Sequence, residues 1–367
     1  MNTHLRRAVV AMAALSMAAG LAACGKAKEA GGGPTKEKKG ALTIGLLLPE
    51  NQTARYERFD KPLIEKKLKE LAGTDTTILY ENAKQDASVQ QQQVDTMITK
   101  KVDALILDAV DAKSIASSVK KAKDKGIPVV AYDRLAEGPV KAYTSVDNER
   151  VGRIQGESLL KALDGNAAKG QIVMMNGSVT DPNAKMYKTG AHSVLDGKVK
   201  IGKEYDTKEW KPENANENMK GAISSLGKEN IVGVYSANDG MAGGIITALK
   251  SAGFDKLPPV TGQDAELSAV QRILTGEQFM SVYKPYKPEA DAAAEMAVAL
   301  ARGTTLGSVA TSTVNSGSQK KIPAIIVTPF ALTKDDIKQY VGKEGFFTLN
   351  EICTAKYQAD CDKAGLK

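Results

Sequence analysis

Asp133-Arg134, Asp181 with Asn183, Asn238, Asp264 and Lys284 each stand just after a short apolar run. Arg58-Phe59 and the chain's single tryptophan, Trp210, occupy comparable places. A hydroxyl both donates and accepts hydrogen bonds. Carboxylates at Asp133, Asp181 and Asp264 would accept from it, and Arg58, Arg134, Lys284 and the amides of Asn183 and Asn238 would donate to it. Charged partners make these bonds stronger. The faces of a sugar ring carry C–H groups, which Phe59 and Trp210 would cover. Arg58, Arg134 and Lys284 cancel the charges of Asp133, Asp181 and Asp264, so the expected ligand is neutral. Carboxylates set among cations are poor general acids, which argues for capture rather than glycoside hydrolysis. Taken singly, each residue has a structural use: turn or cap for Asp133 and Asp181, helix start for Asn238-Asp239-Gly240, packing for Trp210, surface ion pair for Arg134. Their recurrence at strand ends favours a binding site.

The elements that must hold these groups alternate along the chain. The pattern predicts strands at 42–48, 76–80, 103–108 and 127–133, separated by helices over roughly 55–72, 87–100 and 114–126. The series restarts near 143–150. It continues as helix 149–163, a strand at Gly170–Met175, helix 184–195, strand 199–205, helix 213–226, a strand near 230–236, helix 240–252, a strand near 257–262 and helix 265–275. An apolar run at 278–285, a long Ala-rich helix 289–302 and a strand at 323–329 follow. This order implies parallel sheets covered by helices: an α/β fold of two doubly wound lobes. Ligands of such sheets sit outside the carboxyl ends of the strands, which places the site in the cleft between the lobes.

The bulk numbers agree. With 367 residues, 42% hydrophobic and 25% charged, the chain has the composition of a globular protein of two domains. The formal charge of +7 comes from dispersed lysines, which gives no nucleic-acid face. Two histidines, His4 and His192, make a metal centre or a histidine-based catalytic site improbable; no metal and no cofactor are expected, and His192 is expected on a helix surface. Residues 1–23 combine a basic start with a short apolar run and read as a signal peptide. Leu21 to Cys24, LAAC, resembles the lipobox of bacterial lipoproteins, which implies lipid on Cys24. Residues 24–40 are Gly- and Lys-rich and read as a flexible tether. The chain is therefore expected to be exported and held by lipid at the outer face of the cytoplasmic membrane. In an exported chain the remaining cysteines, Cys353 and Cys361, are expected to form a disulfide.

The stretches AYDR, SVDNERVG, DPNAK, WKPENA, SANDGMAGG, TGQDAEL and VYKP, spread from Leu42 to beyond Pro329, together resemble the sugar-binding proteins of bacterial ABC importers, of the type I two-lobe fold and the D-xylose-binding subgroup. The resemblance implies ligand contacts at Arg58, Asp133, Arg134, Asp181, Asn183, Asn238, Asp264 and Lys284, with Phe59 where the family often has tryptophan and Trp210 as a direct match. Pro182 stands where some relatives have a polar residue. A three-segment hinge follows, with crossings near 143–148, 279–284 and 322–328. The first lobe would comprise 41–145 plus 284–322, the second 146–283 plus 323–350, and 351–367 a tail. The implied protein is a monomer that closes on a neutral monosaccharide, D-xylose first, and delivers it to the transmembrane subunits of an ABC permease. Receptors for arabinose, glucose or galactose that serve sensing would use similar groups; a glycoside-acting enzyme is the weaker reading. A sugar-responsive DNA regulator would carry a DNA-binding module where this chain has its export signal.

Overall fold

Strands β1 (Thr43–Leu48), β2 (Thr77–Asn82), β3 (Ala104–Leu107), β4 (Val129–Tyr132) and β5 (Ala142–Val146) are rich in apolar residues, and β1, β3, β4 and β5 are buried along almost their whole length. Such strands need cover on both faces. In the computed structural model, which describes residues 40–366 except Ser308 and Glu344, helices α1 (Lys61–Ala72), α2 (Ala87–Thr99) and α3 (Ala116–Asp124) provide part of that cover. Alternate side chains go to opposite faces. Ile44, Leu46, Ile106 and Val130 join the core with α1, while Leu47, Leu105, Leu107 and Val129 join the core with α2 and α3. The expected signal peptide, Cys24 and most of the tether lie outside the described residues.

The second lobe begins at α4 (Asn148–Leu163). It continues through β6 (Gln171–Asn176), α5 (Pro182–Leu195), β7 (Lys200–Asp206), α6 (Pro212–Leu226), β8 (Ile231–Ser236), α7 (Asp239–Ser251) and α8 (Leu267–Thr275). The chain then forms β9 (Ser281–Tyr283), the long α9 (Tyr286–Arg302), β10 (Ser312–Val314), β11 (Ile322–Val327) and β12 (Phe330–Leu332). Glycines let α4 and α5 approach closely. A Cβ at Gly152 would lie 1.9 Å from the Tyr187 carbonyl oxygen, and one at Gly190 2.0 Å from that of Glu149.

The first sheet has the order β10-β11-β5-β4-β3-β1-β2, parallel except for β10. The second has β7-β6-β8 in parallel. It extends through a bridge between Val234 and Val260, through the Val282 N–H donating to the Gly262 carbonyl, and through the antiparallel pair β9-β12. The chain therefore passes between sheets after β5, after β9 and between β11 and β12.

One boundary differs from the sequence reading. Residues 322–327, most of which were expected in the second lobe, pair with β5 in the first sheet. An apolar strand has the same composition in either sheet, and only its partner decides membership. The C-terminal helices α10 (Ile337–Tyr340), α11 (Leu349–Ile352) and α12 (Gln358–Lys363) also depart from the expected division, which put 323–350 in the second lobe and 351–367 in a tail. Ile337, Phe346, Phe347, Ile352, Cys361 and Leu366 are buried in the core that contains α1 and α9.

Cys353 and Cys361 have Cα atoms 5.9 Å apart and sulfurs at bonding distance. A thiol titration of unreduced, denatured protein is expected to find neither of them reactive; two free sulfhydryls would contradict the pairing.

Candidate ligand-binding site

The carboxyl ends of both sheets meet around a small cavity, about 270 Å³ of empty space, lined by Thr53, Tyr56, Asp133, Arg134, Asp181, Tyr187, Trp210, Asn238, Gln263, Asp264 and Lys284. Asp133, Arg134, Asp181, Trp210, Asn238, Asp264 and Lys284 are all 5% exposed or less, so their charges must be satisfied by one another or by a ligand.

Asp133 sits at the centre. It follows β4 with φ of +52°, a left-handed conformation that aspartate tolerates better than most residues. One carboxylate oxygen accepts from Arg55 Nη1 at 2.6 Å and the other from Asn183 Nδ2 at 2.9 Å. Lys284 Nζ is 3.8 Å away, and the Tyr143 hydroxyl donates to the Asp133 carbonyl at 2.8 Å. Burial by itself would raise this carboxyl, but Arg55, Lys284 and Arg134 outweigh it and hold its pKa at about 2. Lys284 also meets Asp264 at 2.7 Å, and so links a carboxylate of each lobe.

The structural and binding uses of Asp181 and Asn238 coincide. Asp181 caps α5, with one oxygen accepting from the Asn183 N–H at 2.8 Å. Its other oxygen accepts from Trp210 Nε1 at 3.2 Å and lies 3.0 Å from Arg134 Nε. Burial raises the Asp181 pKa, against the opposing pull of Arg134. Asn238 caps α7 through the Met241 N–H and still borders the cavity. Trp210 lies against Gly177, where a Cβ would come within 1.9 Å of the indole ring. Tyr187 meets Trp210 edge-on, with centroids 6.2 Å apart.

Arg58 and Phe59 are corrections to the expected set. Arg58 is half exposed and pairs with Glu351. Phe59 is buried in the core, stacked on Tyr286 at 5.4 Å. Tyr56, three residues before Phe59, lines the cavity instead, and Arg55, three before Arg58, pairs with Asp133 without lining the cavity. Arg-aromatic occurs twice within one helical turn, so positions i and i+3 share a face, and the sequence pattern alone does not choose between them. The choice is made in a π-helical turn, Tyr56–Asp60, that precedes α1. Arg55 is 2% exposed and also engages Asp60 at 2.7 Å and Glu289 at 3.3 Å. Asn183 supports Asp133 from behind rather than lining the cavity. Thr53, Tyr187 and Gln263 were not expected; of these only Gln263, beside Asp264 in TGQDAEL, carries a signal in the sequence. Arg134 and Lys284 line the cavity with Asp133, Asp181 and Asp264, and Arg55 pairs with Asp60 and Glu289 as well as Asp133, so the site holds no surplus of cations.

Several buried polar atoms here have no hydrogen-bond partner among the described residues: Arg134 Nε, Asp264 Oδ1, Gln263 Oε1, Asn183 Oδ1 and both carboxylate oxygens of Asp108. Arg134 Nε and Asp264 Oδ1 do lie close to opposite charges, but without hydrogen-bond alignment. Asp108, 3.7 Å from Arg134 Nε, has its pKa pushed well up by burial, as does Glu289. Such atoms are expected where a small polar molecule completes the set. Among the described residues no group of His, Cys, Asp and Glu could hold a metal ion. None of their helices is long and apolar enough to cross a membrane.

A buried polar cavity between two α/β lobes, without surplus positive charge, defines a protein that captures a small solute. Residues 44–305 match the periplasmic binding protein domain. The chain is 34% identical over 317 residues to a D-xylose-binding periplasmic protein of Haemophilus influenzae, covering 85% of this chain and 92% of that one. It is 32% identical to a multiple sugar-binding periplasmic receptor of Rhizobium radiobacter, covering 84% and 92%. A solved ABC-transporter solute-binding protein of Clostridium phytofermentans with bound β-D-glucose superposes with a TM-score of 0.76 at 26% identity, over 84% of this chain and 99% of that one. The chain belongs to the periplasmic binding protein family, with the type I fold. It is a binding protein and not an enzyme.

Arg55→Ala should weaken ligand binding by about 2–5 kcal/mol, because Asp133 loses its compensation in a buried site. Arg58→Ala should change it by less than about 1 kcal/mol, as for other exposed pairs. Calorimetry on both variants checks this; the reverse order would restore the original assignment. The pH dependence follows from Asp133. Its folded pKa lies below the model-compound value of 3.8, so its contribution to stability is present above about pH 4 and is lost as pH falls towards 2. Acid melts of wild type and Asp133→Asn should diverge in that window; parallel curves would contradict the assignment.

Proposed function

We propose that this protein captures a neutral monosaccharide, D-xylose first, between its two lobes and delivers it to the transmembrane subunits of an ABC permease. The observation that carries the reading is the buried cluster of Asp133, Asp181 and Asp264 with Arg55, Arg134 and Lys284, which holds no surplus of positive charge and has polar atoms in need of partners. A sugar acid or sugar phosphate would need surplus positive charge there. Tyr56 from the first lobe and Trp210 from the second present aromatic surface to the two faces of a pyranose. The identity to D-xylose-binding proteins, 34% and 33%, supports xylose among the aldoses. In this reading the first lobe comprises the seven-stranded sheet with α1, α2, α3 and α9, the second comprises α4 to β9 with β12, and closure bends the three crossings. Cys24 carries the lipid that holds the body at the outer face of the cytoplasmic membrane, and the protein acts as a monomer.

The relative at 32% identity that is named for multiple sugars favours one second reading: a broader receptor for arabinose, glucose or galactose that serves sensing. Calorimetry of residues 41–367 with a panel of neutral pentoses, hexoses and sugar acids separates the two. Tight binding of D-xylose with much weaker binding of hexoses is expected. Comparable affinity for several aldoses would establish the broader receptor, and tight binding of a sugar acid alone would overturn the neutral-ligand reading.

A further inference from the structure

Arg58 and Phe59, which the binding site does not use, lead to the C-terminal segment. Arg58 pairs with Glu351 of α11, and Phe59 meets Phe347 edge-on with centroids 5.2 Å apart. The same segment holds the second lobe. Gln271 of α8 donates to the carbonyls of Glu351 and Ile352 at 3.3 and 3.4 Å, and Lys334 donates to the carbonyl of Leu274, in the last turn of α8, at 2.8 Å. It also packs on the crossing after β9: Tyr283 meets Tyr340 at 4.6 Å and Phe346 at 5.5 Å. Both lobes and the strand between them therefore contact one element.

That element connects to the site through Tyr286. Its ring stacks on Phe59, and the Arg55 guanidinium lies over its face at 4.6 Å. Its hydroxyl donates to the Asp264 carbonyl, at a residue with φ of +92°. Asp264 precedes the first residue of α8 by three, and Arg55 precedes Arg58 by three. One aromatic cluster thus runs from the C-terminal segment to an ion of each lobe.

We propose that residues 337–366 form a brace across the hinge, with Phe346 and Phe347 as anchors, that positions Arg55 and Asp264 relative to each other. Opening the lobes must either bend this cluster or peel the brace from α8. Arg58 and Phe59 are its contacts on the first lobe, where Arg58 pairs with the brace's own Glu351, and Gln271 is its contact on the second. The Cys353–Cys361 link closes α11 onto α12 and keeps the two short helices as one unit. The role of Arg55 and Asp264 towards a sugar rests on the function proposed above; the bracing of the hinge does not.

The test uses the full chain with Phe347→Ala, Phe347→Leu as its conservative counterpart, and wild type. Without sugar, hydrogen exchange at 283–286 and 327–332 should rise in Phe347→Ala and remain near wild type in Phe347→Leu. With D-xylose, Phe347→Ala should dissociate about fivefold faster, the scale of one lost aromatic pair, with the leucine variant falling between. A folded Phe347→Ala with unchanged exchange at the crossings and unchanged dissociation overturns the brace. If Phe347→Ala does not fold, the Cys353→Ser/Cys361→Ser variant and the charge swap Arg58→Glu/Glu351→Arg carry the same readouts. Faster exchange in the cysteine variant, with wild-type exchange in the swap and a rise in Arg58→Glu alone, supports the brace; no change in any of them rejects it. A wild type that binds no monosaccharide would reject the proposed function, while the exchange measurements still decide the brace.

Discussion

The buried pairing of Arg55 with Asp133 constrains the rest of the site. A guanidinium removed from water is costly unless its donors are matched. Arg55 meets three carboxylates, Asp60, Asp133 and Glu289, drawn from the turn before α1, the end of β4 and the start of α9. These segments are distant in sequence and must converge for the charge to be tolerated. Burial raises the pKa of Asp60 and Glu289, while Asp133, flanked by further cations, remains firmly ionised. Of these three partners of Arg55, the one that lines the cavity is thus the one kept charged.

Asp133 also carries the contact between lobes. Asn183 reaches it from α5, and Lys284, at the end of β9, lies between it and Asp264. A backbone bond from the Ala112 N–H to the Thr180 carbonyl at 3.2 Å crosses the cleft nearby. Few direct bonds join the lobes at the site, and most of them converge on residues that line the cavity or support its wall. A ligand that completes the unpartnered atoms there would stabilise the closed arrangement by its differential contacts.

Helix capping and ligand binding share residues because of sheet geometry. In a parallel sheet each strand's carboxyl end is followed by the amino end of a helix. The cap residue therefore stands at the cleft. Asp181 uses one oxygen for the Asn183 amide and leaves the other towards Arg134 and Trp210. One carboxylate can therefore cap a helix with one oxygen and still border the cavity with the other.

Local periodicity was enough to specify an α/β architecture, since strand and helix patterns of this kind admit a parallel sheet covered by helices. It also marked the polar residues that end strands, and Asp133, Arg134, Asp181, Asn238, Asp264 and Lys284 all line the cavity. Those assignments depend on local order along the chain. Tertiary structure decided what local order leaves degenerate. Arg55-Tyr56 and Arg58-Phe59 are equivalent by type and by helical face until the π-helical turn and the C-terminal aromatics draw the second pair away from the cleft. The strand at 322–327 suits either sheet until β5 pairs with it. Tyr187 has the character of a core residue until Trp210, seated on Gly177, leaves it at the cavity wall. In each case the deciding contact lies far along the chain, and the free energy that selects it comes from burial and pairing that no local pattern records.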